Sequence, residues 1–225
     1  MAGGVTEVRA ETIGEVWLDV ARRICMDGQP GIYDGLSMIE CTLVSLVVEA
    51  PSPDDPIVER FGDAERLSWM HANFTDFDRV TELDDADSYA TRLYDYAHAG
   101  HDQVAWVIQR LRTDPTCRSA AISTLQPLTD TSYIPCVSLL DFYLEDDRLE
   151  LAVYAHSVDF GTKGYANLVE LARIHHHVAN ELQRQSGSLT VVVKSAHIYD
   201  PERPLMAQIL SASGGERRLP PSSQD

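Results

Sequence analysis

Three apolar runs in the middle of the chain constrain its fold most: Ala120 to Leu125, Cys136 to Leu144 and Leu149 to Tyr154. Each is short and rich in branched or aromatic residues, the pattern of a strand buried in a sheet. Asp146-Asp147 separates the last two, and such a polar pair fits the tight loop of a hairpin. Downstream, Asn167 to Arg184 has the spacing of the longest helix, and Leu189 to Tyr199 is a Val-rich strand. Upstream, Ile13 to Met26 places Val16, Val20 and Ile24 on one helical stripe, with Asp27-Gly28 as a stop.

Met38 to Glu49 reads as a strand, Pro51 to Pro56 as a loop, and Ile57 to Ala72 as one helix. The acidic stretch Thr75 to Asp87 lacks apolar periodicity and is expected to be irregular. His101 to Leu111 is a helix, with Val104, Trp106-Val107-Ile108 and Leu111 expected on its buried face. Helices and strands mix without strict βαβ alternation, so the expected class is α+β.

A chain of 225 residues fits one domain, expected over 1–213, with a polar, disordered tail over 214–225. No segment reaches the roughly 18 continuous apolar residues of a membrane span. The N-terminus lacks the basic-then-apolar order of an export signal. A cytoplasmic location follows as the expectation, with no membrane partner. The net charge of -17 disfavours a nucleic acid polymer but leaves room for one nucleotide in a local cationic pocket. Cys25, Cys41, Cys117 and Cys136 form no C-x-x-C pair, which argues against a disulfide framework. His175-His176-His177 are consecutive; helical neighbours point about 100° apart and cannot converge on one ion, so no metal is expected.

The chemistry centres on Cys136, in Tyr133-Ile134-Pro135-Cys136-Val137, and on the polar residues downstream of it. Ser157 and Asp159 stand in Tyr154-Ala155-His156-Ser157-Val158-Asp159, then come Asn167, His197 and Tyr199. That set holds a nucleophile, an amide able to read a ring edge, and two donors for a sugar. A thiolate needs cations or hydrogen-bond donors beside it, and the nearest candidates by sequence are Arg118 and Ser157.

This order resembles the active site of the thymidylate synthase superfamily, whose members attach a one-carbon unit to C5 of a pyrimidine nucleotide. The likeness runs from about Tyr89 to Tyr199 and needs no gap from Cys136 onward. Phe142-Tyr143 matches an aromatic pair of the family. Gly100-His101-Asp102-Gln103 and Asp114-Pro115-Thr116-Cys117-Arg118 resemble its G-x-D-Q helix start and N-P-x-S-R-R loop.

The resemblance implies a mixed sheet flanked by helices, and a covalent adduct between Cys136 and C6 with 5,10-methylenetetrahydrofolate as cofactor. It implies that Asn167 binds the base edge, His197 and Tyr199 the sugar hydroxyl, Arg118 the phosphate and Asp159 the folate pterin. Ser157 would join the substrate pocket, with His156 at the position of a family arginine; Lys163, Arg22 and Arg23 are the candidates to replace the missing phosphate cations. Tyr89 would assist loss of the C5 proton. Glu65 is the counterpart of a glutamate that organises water, one residue out of step with the family's E-L-L-W. A homodimer is implied too, its sheets back to back and the Arg118 loop reaching the neighbour's site.

Several positions depart from the pattern. Ser119 and His156 stand where the family has phosphate-binding arginines, and the early R-T-G-T loop is Gln29-Pro30-Gly31-Ile32-Tyr33-Asp34. Val137 follows the cysteine in place of histidine, Asp141 replaces the glutamine of Q-F-Y, and the apolar C-terminus that closes over folate is a polar tail. These departures resemble those of the superfamily's pyrimidine nucleotide (CMP/dCMP) hydroxymethylases: if closure is weaker, water meets the exocyclic methylene, and hydroxymethylation (CMP/dCMP or UMP/dUMP) is the expected reaction, in specialised metabolism such as nucleoside antibiotic biosynthesis. Asn167 suits uracil rather than cytosine, so the base stays open. The alternatives are a methylating synthase with a rebuilt phosphate pocket and a noncatalytic nucleotide-binding descendant.

Overall fold

The computed structural model describes residues 5–33, 35–130 and 133–214; the expected tail beyond Gly214 lies outside them. In chain order the elements are β1 (Thr6–Ala10), α1 (Ile13–Asp27), β2 (Gln29–Tyr33), β3 (Leu36–Val48), α2 (Pro56–Phe61), α3 (Ala64–Thr75), β4 (Arg79–Val80) and β5 (Ala86–Asp87). After these come α4 (Tyr89–Tyr94), α5 (Gln103–Thr113), β6 (Ala120–Ser123), β7 (Val137–Glu145), β8 (Arg148–Asp159), α6 (Gly164–Leu182), β9 (Gln185–Tyr199) and α7 (Arg203–Ser213).

Seven strands form one mixed sheet in the order β1-β3-β9-β8-β7-β6, with β2 paired to β3 off that path. β8 and β9 run parallel and are joined through α6, whereas β7 and β8 are an antiparallel hairpin. Asp146, in the two-residue loop of that hairpin, adopts φ 53°, which a short polar side chain tolerates better than a branched one. The expected α+β class holds.

Register explains the core. Ile122, Leu140, Val153, Val191, Leu46 and Val8 are successive partners across β6, β7, β8, β9, β3 and β1. All six are buried in one apolar cluster with α1, α5 and α6. Side chains alternate along a strand, so the next row presents the opposite face. There Leu139, Tyr154 and Val192 are successive partners, and Leu139 and Tyr154 are exposed.

Three expectations need correction. Trp106 does not join the buried face of α5: it is exposed, while Val104, Val107, Ile108 and Leu111 are buried. Ile57 to Ala72 is not one helix: α2 ends at Phe61 with Gly62 as its C-cap, and Asp63 caps α3 by accepting from the amides of Glu65 (2.8 Å) and Arg66 (3.2 Å). A side chain that satisfies the first free amides of a helix starts it there. Thr75 to Asp87 is not wholly irregular, because β4 and β5 pair around a single 3₁₀ turn, Thr81–Leu83. No helix among the described residues is long and apolar enough to cross a membrane.

Candidate active site

A cavity of about 330 Å³ opens where β8 and β9 end, β7 begins and α6 starts. The parallel register sets Asp159 opposite His197. The amide of His156 donates to the Cys136 carbonyl at 3.0 Å, which brings the thiol beside the end of β8. Asp159 shapes the turn into α6: its carboxylate accepts from the Gly161 amide (2.8 Å) and the Thr162 hydroxyl (2.6 Å). Trp17 supports this turn from below, its indole donating to the Phe160 carbonyl at 3.0 Å and its ring packing on Tyr165.

Cys136, Tyr89, His156, Ser157 and Asp159 all line the cavity, as do Lys163, Asn167, His197 and Tyr199. Glu65 and Arg118 do not. Glu65 is exposed in the first turn of α3, one turn before Trp69, and Arg118 is exposed in the loop before β6. The carboxylates on the wall are Asp159, Glu82 and Asp84. The latter two come from the β4–β5 connection, where the sequence carries no apolar period to announce a fold.

Burial pushes the Cys136 thiol up, and the Asp159 charge adds to that. A hydrogen bond from Tyr133 and the Lys163 charge pull it back down. The Tyr133 hydroxyl stands 3.5 Å from Cys136 Sγ, a contact that sequence reasoning missed although the two residues are three apart. Tyr89 packs on Phe74 with ring centroids 4.4 Å apart, and its hydroxyl oxygen accepts from the Val137 amide at 3.0 Å. Burial, then the neighbouring thiolate, drive the Tyr89 phenol far above its ordinary value, so it is a hydroxyl and not a phenolate at neutral pH.

His197 is held below its ordinary value by burial, against opposing pulls from Asp159 and the Ser195 backbone. That backbone approaches the ring without a hydrogen bond of normal geometry: neither His197 ring nitrogen has a partner among the described residues. His156 is likewise lowered by burial, then by the Lys194 charge. Both imidazoles are therefore neutral at pH 7.

Asn167 donates through Nδ2 to the Lys163 carbonyl at 3.3 Å, while its buried Oδ1 has no partner among the described residues. Buried polar atoms are almost always bonded. Unpartnered ones lining a cavity are what a polar ligand would satisfy.

α3 adds Trp69, Met70 and Asn73 to the wall. Lys163 Nζ lies 5.7 Å from the Trp69 ring centroid, within the reach of a cation–π contact. Asn73 Oδ1 accepts from the Tyr89 amide at 2.9 Å and fixes the start of α4. The spacing of Trp69 and Asn73 on one helical face was a signal available in the sequence.

The family described as thymidylate synthase matches residues 59–219. A Methanosarcina barkeri protein named "Putative thymidylate synthase" is 30% identical over 207 residues, covering 90% of this chain and 94% of that protein. A Methanothermobacter marburgensis protein of the same name is 29% identical over 214 residues, covering 86% and 93% respectively. The thymidylate synthase of Mycoplasma genitalium is 33% identical over 103 residues, 45% of this chain and 36% of that enzyme. The family match takes in the thiol, the strand ends and α6 around one cavity, and the chain therefore belongs to the thymidylate synthase family.

Proposed function

We propose that this cavity transfers a one-carbon unit to C5 of a pyrimidine nucleotide through a covalent adduct between Cys136 and C6. The convergence of Cys136, Asn167, His197 and Tyr199 on one small cavity carries the reading. The Cys136 thiolate adds to C6, and the displaced π pair makes C5 nucleophilic. Asn167 meets the ring amide with its unpartnered oxygen, and His197 and Tyr199 hold the sugar. Tyr89, fixed by Asn73 and Val137, orders the water that accepts the C5 proton. Glu82 is the glutamate on the wall and takes the water-organising role expected of Glu65.

The residues present fit a reduced folate: the Asp159 carboxylate, the Trp69 ring and Lys163 share the cavity wall. Asp159 would hold the pterin. When bound, 5,10-methylenetetrahydrofolate supplies the one-carbon unit and, in a methylating reaction, a hydride. Hydroxymethylation is our preferred outcome, in a specialised setting such as nucleoside antibiotic synthesis. It is supported by the replaced arginines. The relatives' names favour methylation as the second reading.

The same reading includes a homodimer. The outward row of Leu139, Tyr154 and Val192 offers apolar surface to a second copy, and that packing would deliver the second copy's Arg118 to the nucleotide phosphate. A monomer at micromolar concentration in gel filtration would reject it.

The deciding experiment is C5 tritium release from CMP, dCMP, UMP and dUMP with methylenetetrahydrofolate, comparing wild type with Cys136→Ala. Release that disappears in the variant supports the adduct and names the base and sugar. Release from none of the four rejects the nucleotide reading. Dihydrofolate formation marks the methyl product, and its absence during turnover marks the hydroxymethyl product.

A further inference from the structure

Cys136 is half-buried in the cavity wall, and burial together with the Asp159 charge opposes its ionisation. Of the donors expected beside it, Arg118 is exposed and outside the cavity. Ser157 lines the cavity but makes no hydrogen bond to the thiol among the described residues. Lys163 acts through its charge and is drawn toward the Trp69 ring. The group in contact with the sulfur is the Tyr133 hydroxyl, at 3.5 Å, a normal separation for a donor to the large sulfur atom.

We propose that Tyr133 is the hydrogen-bond donor that stabilises the Cys136 thiolate when it forms. Its position suits this task. The residue belongs to the short loop leading into β7, half-buried, on the wall shared by the cavity and a wider depression along the outer face of the sheet. Pro135 stands between it and the thiol. A proline fixes φ near −65° and so limits how far the two side chains can drift apart.

The direction of the hydrogen bond follows from charge. Tyr133 is faced by Cys136, Tyr89 and Tyr33, and burial with these neighbours pushes its phenol far above the ordinary range. It keeps its proton throughout the neutral region and can only donate to an anionic sulfur. Cys136 is faced by Tyr133, Lys163 and Asp159, and Tyr133 opposes burial most strongly among them. The Tyr89 hydroxyl accepts from the Val137 amide and makes no hydrogen bond to the sulfur among the described residues.

The role rests on the one-carbon reading above only where it touches turnover. On ionisation the thiol proton leaves to solvent, and Tyr133 keeps its own. When the sulfur lone pair forms the bond to C6, the negative charge moves into the ring and the hydrogen bond weakens. When that bond breaks, the electron pair returns to sulfur and the donor is waiting. Lowering a thiol's pKa by one unit multiplies the thiolate about tenfold but reduces its intrinsic nucleophilicity about threefold, a net gain of roughly three while the thiol lies above ambient pH.

The test is the pH dependence of Cys136 alkylation by iodoacetamide in the full chain, followed by mass spectrometry of the Cys136 peptide. That separates it from Cys25, Cys41 and Cys117. Tyr133→Phe is expected to raise the midpoint by about one pH unit, the size appropriate to losing one hydrogen bond to a charged group. Placing 3-fluorotyrosine at 133, a stronger donor, is expected to lower the midpoint, and decides the matter if the Phe variant does not fold. An unchanged midpoint in both proteins overturns the assignment. Neither measurement uses pyrimidine or folate. A protein that shows both shifts yet releases no C5 tritium would keep its donor and lose the one-carbon reading.

Discussion

Asp159 and Glu202 are bridged by one hydroxyl: Thr162 Oγ1 lies 2.6 Å from an Asp159 oxygen and 3.4 Å from a Glu202 oxygen. A hydroxyl has one proton to give, so the two carboxyls compete for it. Burial first, and then the charge of Asp159, raise Glu202 from 4.5 to about 8. Glu202 also presses against Gly161, where any side chain would collide with its carboxyl. Loop 159–162 is thus tied to the start of α7 by an acid that holds its proton at pH 7.

Stability should therefore fall with rising pH in the window that Glu202 defines. A carboxyl raised in the folded state contributes fully below 4.5 and loses that contribution as pH climbs through about 8. Glu202→Gln mimics the protonated form without titrating. It should match wild type near pH 4.5 and melt about 2–4 °C higher near pH 8.5, the shift expected of roughly 1 kcal/mol after allowance for solvent screening of a partly exposed group. Equal melting temperatures at both pH values would exclude proton retention by Glu202.

Arg92 is the second organising group. It is buried, makes a two-pronged ion pair to Asp130 at 2.8 and 3.0 Å, and donates to the carbonyls of Thr124 (2.8 Å) and Asp87 (3.0 Å). Asp130 in turn accepts from the Gln126 amide at 2.7 Å, so the loop after β6 is pinned to α4. Asp130→Ala strands a buried guanidinium and should cost about 3–5 kcal/mol in denaturant unfolding. Arg92→Lys should recover only part of that, because an ammonium cannot reproduce the fork. A loss below 1 kcal/mol for Asp130→Ala would mean the pair is dispensable.

How far the sequence disclosed this arrangement depended on where its signals were local. The hairpin through Asp146-Asp147 and the body of α6 were legible because apolar spacing and turn chemistry agree there. α6 nonetheless begins at Gly164, before Asn167, since its N-cap Lys163 makes no side-chain cap bond and so lacks the usual start signal. β2 carries Pro30 and Gly31 and lies at the sheet edge, where proline is tolerated but hides the strand. Gly62-Asp63 has the spacing of helix interior, yet Asp63 caps α3.

At the cavity, the residues from Cys136 to Tyr199 converge because β7, β8, α6 and β9 are consecutive in the chain and the register is set by their apolar faces. Glu82 and Tyr133 come from loops, whose course no periodicity encodes. Glu65 stands outside the cavity for a similar reason: a start at Ala64 leaves it in an exposed first turn.

Trp17 probes the floor of the site from outside the cavity. It is fully buried against Tyr165 and donates to the Phe160 carbonyl. Trp17→Phe keeps most of the volume and should cost about 1–3 kcal/mol, largely for leaving that buried carbonyl unsatisfied. Trp17→Ala should cost about 3–5 kcal/mol through the cavity it creates. Chemical denaturation distinguishes these, and a Phe variant as stable as wild type would show that the indole bond is not structural.

Asn167 separates stability from function most sharply. Its Oδ1 is buried without a partner among the described residues, and its Nδ2 makes only a 3.3 Å bond to Lys163 within its own helix. Leucine has nearly the same shape, forms helix well and carries no polar atom to desolvate. Asn167→Leu should then be as stable as wild type or more so, by up to about 1 kcal/mol. Under the one-carbon reading the same change leaves the ring amide of the substrate facing a methyl group. It should lower kcat/KM at least about a hundredfold, as expected when a buried ligand group loses its hydrogen-bond partner. Thermal melting together with tritium release reads both effects in one variant. A destabilised Asn167→Leu would mean that the amide is a structural group, and an active one would remove it from base recognition.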